Sequence, residues 1–329
     1  MARSEGLREP TWRWVCGLLF LLCSGTTQAD ACEPSRGLRL GSDIESRCST
    51  MSFDGRTRSY RLYVPARVAS PAPVVFVLHG GGGSGSNIEL ITKHGFNRIA
   101  DRDGAIVVYP DGVGRNWNDG RSNVNSTAFQ ENVDDVAFLK ALLKVIATSH
   151  PVDHERVFAT GMSNGGFMAY RLACDAAGTF RAVVAVVAGL SVDLGPRCHP
   201  ERPVSVAIMN GTEDPLVPWA GGAVSAMGIK RGETWSAQRT YDRWVEIDAC
   251  KTRIDEPEQN IAPDDATTVV LHRAVDCAAG SQVRLYEIRG GGHNWPGGAT
   301  YLGVGLVGRV SAEIDGSEEI WRFFNDVGR

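Results

Sequence analysis

Val157 and Phe158 begin a strand-like run that stops at Gly161-Met162-Ser163-Asn164-Gly165, and an apolar stretch of helical character follows. A G-x-S-x-G set between a strand and a helix constrains this chain more than any other feature, because it reads as a nucleophile elbow. Such a turn is too tight for side chains at Gly161 and Gly165. It holds Ser163 in a strained backbone conformation with its hydroxyl exposed above a sheet. The free N–H groups of the helix starting at Asn164 then point to where an oxyanion develops. The rival reading is an ordinary glycine-rich turn; the strand before, the helix after and the additional Gly166 weigh against it.

An elbow needs a sheet beneath it. Apolar runs at 73–78, 105–109, 182–188 and 204–209 have the composition of strands buried on both faces. Runs at 269–275 and 283–288 add two more strands, and Asp54-Gly55 between 51–53 and 58–65 is a hairpin signal. Apolar residues at helical spacing cover 88–101 and 132–149, and 234–247 and 316–327 also read as helices. Strands alternating with helices predict an α/β fold, a mostly parallel sheet with helices on both faces. Residues 30–329 read as one domain, and the least sheet-like stretch, 216–282, is the expected place for a small cap.

Open parallel sheets carry ligands beyond the carboxyl ends of their strands. The loops beginning at His79, Pro110, Gly161, Gly189, Asn210 and Arg289 are therefore expected on one face. Ser163 needs a base, and the base needs an acid to hold its tautomer. Of seven histidines, His293 alone follows a late strand in a glycine loop, Gly290-Gly291-Gly292-His293. His79 lies on the same face, but its place before four glycines suits shaping that loop. Asp214, in Asn210-Gly211-Thr212-Glu213-Asp214-Pro215, follows a strand between serine and histidine. It is preferred to Glu213 because Pro215 fixes the next backbone unit. The order Ser, Asp, His is that of the α/β-hydrolases.

The glycines 80–83 allow backbone N–H groups to approach a ligand closely. Gly81 and Asn164 are thus the expected oxyanion-hole donors. A phosphate loop is the rival, but Gly85 is followed by Ser86-Asn87 and no lysine stands where it is required. Trp117, Trp219 and Trp295 lie in these loops and are candidate substrate platforms, with buried packing as the alternative for each.

The first thirty residues differ from the rest. Arg3, Arg8 and Arg13 precede a short apolar run, 14–23, and small residues end at Ala29. This pattern predicts a secretory signal over 1–29 and a secreted or periplasmic chain; a membrane span needs about 20 apolar residues. Export makes Cys32, Cys48, Cys174, Cys198, Cys250 and Cys277 candidates for three disulfides. Fifteen pairings are open, and the sequential one staples each local loop. No Cys-x-x-Cys or His/Cys cluster suggests a metal. A net charge of −4 without long runs of one sign gives no footprint for nucleic acid or a membrane surface.

Taken together, LHGGGGSG, YPDGVGRNWND, NVDDVAFLKALL, RVFATGMSNGGFMAYRLAC, NGTEDPLVP and GGGHNWPGG resemble secreted bacterial esterases of the polyhydroxybutyrate depolymerase-like kind. These are close to the feruloyl and acetylxylan esterases of carbohydrate esterase family one. The resemblance runs from about Arg58 to the C-terminus. It implies Ser163 as nucleophile, Asp214 as acid, His293 as base, an oxyanion hole completed near Gly80 and Gly81, and bridges Cys174–Cys198 and Cys250–Cys277. The expected activity is hydrolysis of carboxylic esters through an acyl-enzyme, without a cofactor. Hydroxyalkanoate oligomers, feruloyl or acetyl groups on polysaccharide, and small esters are the candidate substrates. A non-catalytic hydrolase fold that binds carbohydrate or a partner through its tryptophan loops is the alternative.

Overall fold

The computed structural model describes Met1 and residues 46–328 other than 123 and 227. The signal expected over 1–29 and Cys32 lie outside the described residues. The strands are β1 (Arg47–Phe53), β2 (Arg56–Tyr63), β3 (Ala72–Leu78), β4 (Ile106–Pro110), β5 (Val152–Met162), β6 (Ala182–Val186), β7 (Ser205–Gly211), β8 (Gly222–Ala226), β9 (Ile229–Thr234), β10 (Thr252–Asp255), β11 (Thr268–Val275) and β12 (Val283–Arg289). The helices are α1 (Gly85–Ile91), α2 (Gly95–Asp103), α3 (Thr127–Gln130), α4 (Asp135–Ala147), α5 (Asn164–Asp175), α6 (Ala237–Ile247), α7 (Val304–Val307) and α8 (Gly316–Val327).

Ten strands form one sheet in the order β1-β2-β4-β3-β5-β6-β7-β12-β11-β10. The central six, β4 to β12, are parallel, and the pairs at both edges are antiparallel. Strand β3 explains the arrangement at the residue level. Val74, Phe76 and Leu78 pack on one face with Phe138, Leu142, Phe167 and Trp244 of α4, α5 and α6. Val75 and Val77 pack on the other with Ile99, Phe158 and Phe324, beneath α1, α2 and α8. Every side chain of β3 is buried, which is why the strand reads as an unbroken apolar run.

Three expectations change in detail. The helix over 88–101 is two helices, because Lys93 and His94 take positive φ (51° and 55°) and turn the chain between them. The stretch 216–282 divides among several elements. Its β10 and β11 extend the main sheet, α6 packs against β7 and β12, and the β8–β9 hairpin forms a separate two-stranded sheet. The helix over 234–247 starts later, at Ala237, with the Ser236 hydroxyl accepting from the Arg239 N–H.

Disulfides join Cys174 to Cys198 and Cys250 to Cys277, and Cys48 is disulfide-bonded too. Beside the second bridge, Asp248 ends α6 with its carboxylate buried and Oδ1 accepting from Val204 N–H at 3.2 Å. Burial pushes its pKa up to about 7. A carboxyl whose pKa is raised by folding costs nothing below its unfolded value and opposes folding increasingly until the pH passes the folded value. Wild-type stability is therefore expected to fall between about pH 4 and pH 7 through this group. Asp248→Asn keeps the acceptor for Val204 and should flatten that part of the curve, as urea midpoints across the range would reveal.

Candidate active site

Strand β5 runs into Ser163, which takes φ 55° and ψ −119°, and α5 begins at the next residue. Close approach dictates the flanking glycines. A Cβ on Gly161 would lie 2.5 Å from the Gly165 carbonyl, and one on Gly165 would lie 2.3 Å from the Leu78 carbonyl oxygen. Ser163 N–H donates to the Val186 carbonyl at 2.9 Å, which anchors the turn on β6. The serine is half-buried, and its hydroxyl makes no hydrogen bond among the described residues.

The loops after β7 and β12 are brought together by backbone contact. Glu213 N–H donates to the Gly291 carbonyl at 2.9 Å, and a Cβ on Gly211 would sit 2.2 Å from that oxygen. Asp214 and His293 meet there. Both are buried, and His293 Nδ1 lies 2.7 Å from Asp214 Oδ2. The other carboxylate oxygen accepts from the Leu216 and Val217 N–H groups at 2.8 and 2.9 Å. An imidazole whose Nδ1 proton is held by a carboxylate presents Nε2 as a base, which is the acid–base half of a serine-hydrolase arrangement. Glu213 is turned outward to Arg309, at 2.7 Å.

The His79–Gly81 segment lies against the elbow. A Cβ on Gly80 would be 3.6 Å from Ser163 Cβ, and one on Gly81 would be 3.7 Å from Asn164 Cβ. His79 has the loop-shaping position expected of it. Its Nδ1 is 2.7 Å from the Gly80 carbonyl, and its Nε2 accepts from Gly112 N–H at 3.0 Å. Burial lowers its pKa, so the ring is neutral and both nitrogens are spent.

The tryptophans correct the expectation of three aromatic platforms. Trp117 and Trp295 are each only 1% exposed. Trp117 donates from Nε1 to the His79 carbonyl, and Trp295 packs edge-on against Phe96. Neither has a face left for a ligand; Trp219 alone is partly exposed. An aromatic residue in a loop near a site has no periodicity to reveal which way it turns.

Several supporting residues escaped the sequence reasoning. Asn294 Nδ2 lies within hydrogen-bonding distance of the carbonyls of Val307, Gly308 and Arg309, at 3.0–3.2 Å. Tyr301 donates its hydroxyl to the His293 carbonyl at 2.9 Å, and burial raises its pKa. Asn294 follows the histidine directly, and that adjacency was the available signal.

With this geometry in place, the comparisons with known proteins are consistent. The family described as "Putative esterase" matches residues 52–296. "Putative esterase NocK" of Nocardia uniformis subsp. tsuyamanensis is 31% identical over 79% of this chain and 77% of its own length. "Feruloyl esterase D" of Neurospora crassa is 25% identical, with 84% and 88% covered. "Feruloyl esterase B" of Piromyces equi is 29% identical over 68% of this chain, which spans only 39% of that relative. Among solved structures, the acetyl xylan esterase from Aspergillus awamori shares the fold with a TM-score of 0.54 at 13% identity, over 85% of this chain and 99% of that one. Sheet order, elbow and family match agree, and the chain belongs to this esterase family as a carboxylic ester hydrolase of the α/β-hydrolase fold.

Proposed function

We propose that Ser163, Asp214 and His293 are the catalytic triad of an exported esterase that removes feruloyl-type acyl groups from polysaccharide. The observation that carries the triad is the 2.7 Å Asp214–His293 contact on loops that share a sheet edge with the strained Ser163. Ser163 Oγ attacks the ester carbonyl while His293 Nε2 takes its proton, and Asp214 stabilises the imidazolium. The negative charge on the tetrahedral oxygen is met by the backbone N–H groups of Gly81 and Asn164. His293 then protonates the leaving alcohol, water enters, and the same proton transfers run again to release the acid. The general-base contact to serine commonly tightens only with substrate in place. Export is supported by the N-terminal signal pattern and by the disulfides. The feruloyl assignment is supported by the similarity to feruloyl esterases B and D.

A fluorophosphonate probe is expected to label the purified protein on the peptide that contains Ser163, as read by mass spectrometry. Absence of the label there would sink the triad and favour the non-catalytic binder. Methyl ferulate, acetylated xylan and hydroxybutyrate oligomers should then be compared by kcat/KM. Preference for the oligomers would move the substrate class to polyesters and leave the triad standing.

A further inference from the structure

The stretch from Tyr109 to Arg121 carries the motif YPDGVGRNWND, and the proposed mechanism does not use it. Its contacts reach both halves of the oxyanion hole. On one side, Trp117 N–H donates to Asn164 Oδ1 at 2.8 Å, and Asn164 Nδ2 donates back to the Trp117 carbonyl at 3.1 Å. The same Nδ2 donates to Asp119 Oδ2 at 2.6 Å. On the other side, Trp117 Nε1 donates to the His79 carbonyl at 3.0 Å, and Gly112 N–H donates to His79 Nε2. Gly82 N–H donates to the Arg115 carbonyl at 2.8 Å, and Asn116 Oδ1 sits 3.0 Å from where a Gly81 Cβ would be. Asp119 is itself held by the Arg121 guanidinium through three contacts of 2.6–3.1 Å, and Arg121 lies 3.9 Å over the Phe167 ring of α5.

We infer that Trp117 and Asp119 are positioning residues of the oxyanion hole: together they set the spacing between the N–H of Gly81 and the N–H of Asn164. This rests on the triad reading above. Both side chains are almost fully buried, so neither touches substrate. Their bonds end on the His79 carbonyl, two residues before Gly81, and on the side chain of Asn164, itself one of the donors. Preorganised donors cost no rearrangement when the charge develops, which is why small displacements reach the rate.

The test compares Trp117→Phe, Asp119→Ala and Asp119→Asn with Trp321→Phe. Trp321 is equally buried, in α8, and donates from Nε1 to Asp103 at 2.6 Å, so the control removes the same kind of bond elsewhere. Rates are measured on an aryl ester and on its thionoester, whose sulfur accepts hydrogen bonds poorly. Trp117→Phe and Asp119→Ala are expected to lose about 10- to 100-fold in kcat, less than full removal of a donor, with KM within about twofold. Their oxo-to-thiono rate ratio should shrink in parallel. Asp119→Asn, which retains an acceptor for Asn164, should recover much of the loss. Trp321→Phe should lower the melting temperature and leave the ratio alone. Unchanged kcat and ratio in Trp117→Phe and Asp119→Ala would overturn the inference, as would an equal loss in Trp321→Phe. Failure of the wild type to be labelled at Ser163 would instead overturn the triad on which it rests.

Discussion

Ser163→Ala is expected to cut kcat on a short aryl ester by about 10^6-fold, with the fold intact. The estimate follows from what the proposed triad would lose: its nucleophile and with it the whole acyl-enzyme route, since triad members act as a unit. What remains is the donor pair and the binding surface, which in comparable enzymes still leave about 10^3–10^4 over water. The fold should survive because the Ser163 hydroxyl makes no hydrogen bond among the described residues, and its N–H to Val186 is backbone. Turnover within tenfold of wild type, with unchanged circular dichroism, would show that another nucleophile does the chemistry.

The second large effect lies away from the chemistry. Arg58 of β2 and Asp135 of α4 are 2% and 0% exposed and meet at 2.7 Å, with the guanidinium 3.7 Å over Phe138. The other oxygen of Asp135 accepts from Asn118 N–H at 2.8 Å, between Trp117 and Asp119, the two residues that reach Asn164. Breaking such a pair by removing one partner leaves a buried, uncompensated charge and costs about 3–5 kcal/mol. Arg58→Met should show a loss of that size in chemical denaturation. Adding Asp135→Asn, which still accepts from Asn118, should recover part of it. The pH dependence has a definite sign. Burial already raises the Asp135 pKa, and Arg58 opposes that rise. Without Arg58 it climbs further, so the deficit should be greatest at neutral pH and shrink as acid protonates the carboxyl. A deficit below about 1 kcal/mol at pH 7 would mean that water reaches the pair.

These two cases divide what the sequence made legible from what it did not. Ser163, Asp214 and His293 could be singled out because each follows an apolar strand run, and Ser163 and His293 also stand among glycines. The loops that leave parallel strands at their carboxyl ends have one face on which to meet. The parallel core was readable for a related reason, since β3 and β6 are buried on both faces and have no alternation to obscure them. The Arg58–Asp135 pair was not readable, because nothing in either local pattern points across 77 positions. The β8–β9 hairpin escaped because its strands are mostly exposed or half-buried and carry glycines at positive φ, 106° at Gly222 and 81° at Gly232, which blur the two-residue period. The break at Lys93 and His94 escaped because a lysine at positive φ is uncommon and the helical spacing runs on through both residues.

The amide of Asn294 has a mechanical consequence. It grips the carbonyls of Val307, Gly308 and Arg309, while His293 N–H donates to Val307 as well. Leu302, Val304 and Leu306, all exposed, therefore ride on a segment bolted to His293. Anyone reshaping that segment would be moving the residue proposed as general base at the same time. A change in the 302–309 backbone and the setting of the His293 ring are coupled through those bonds.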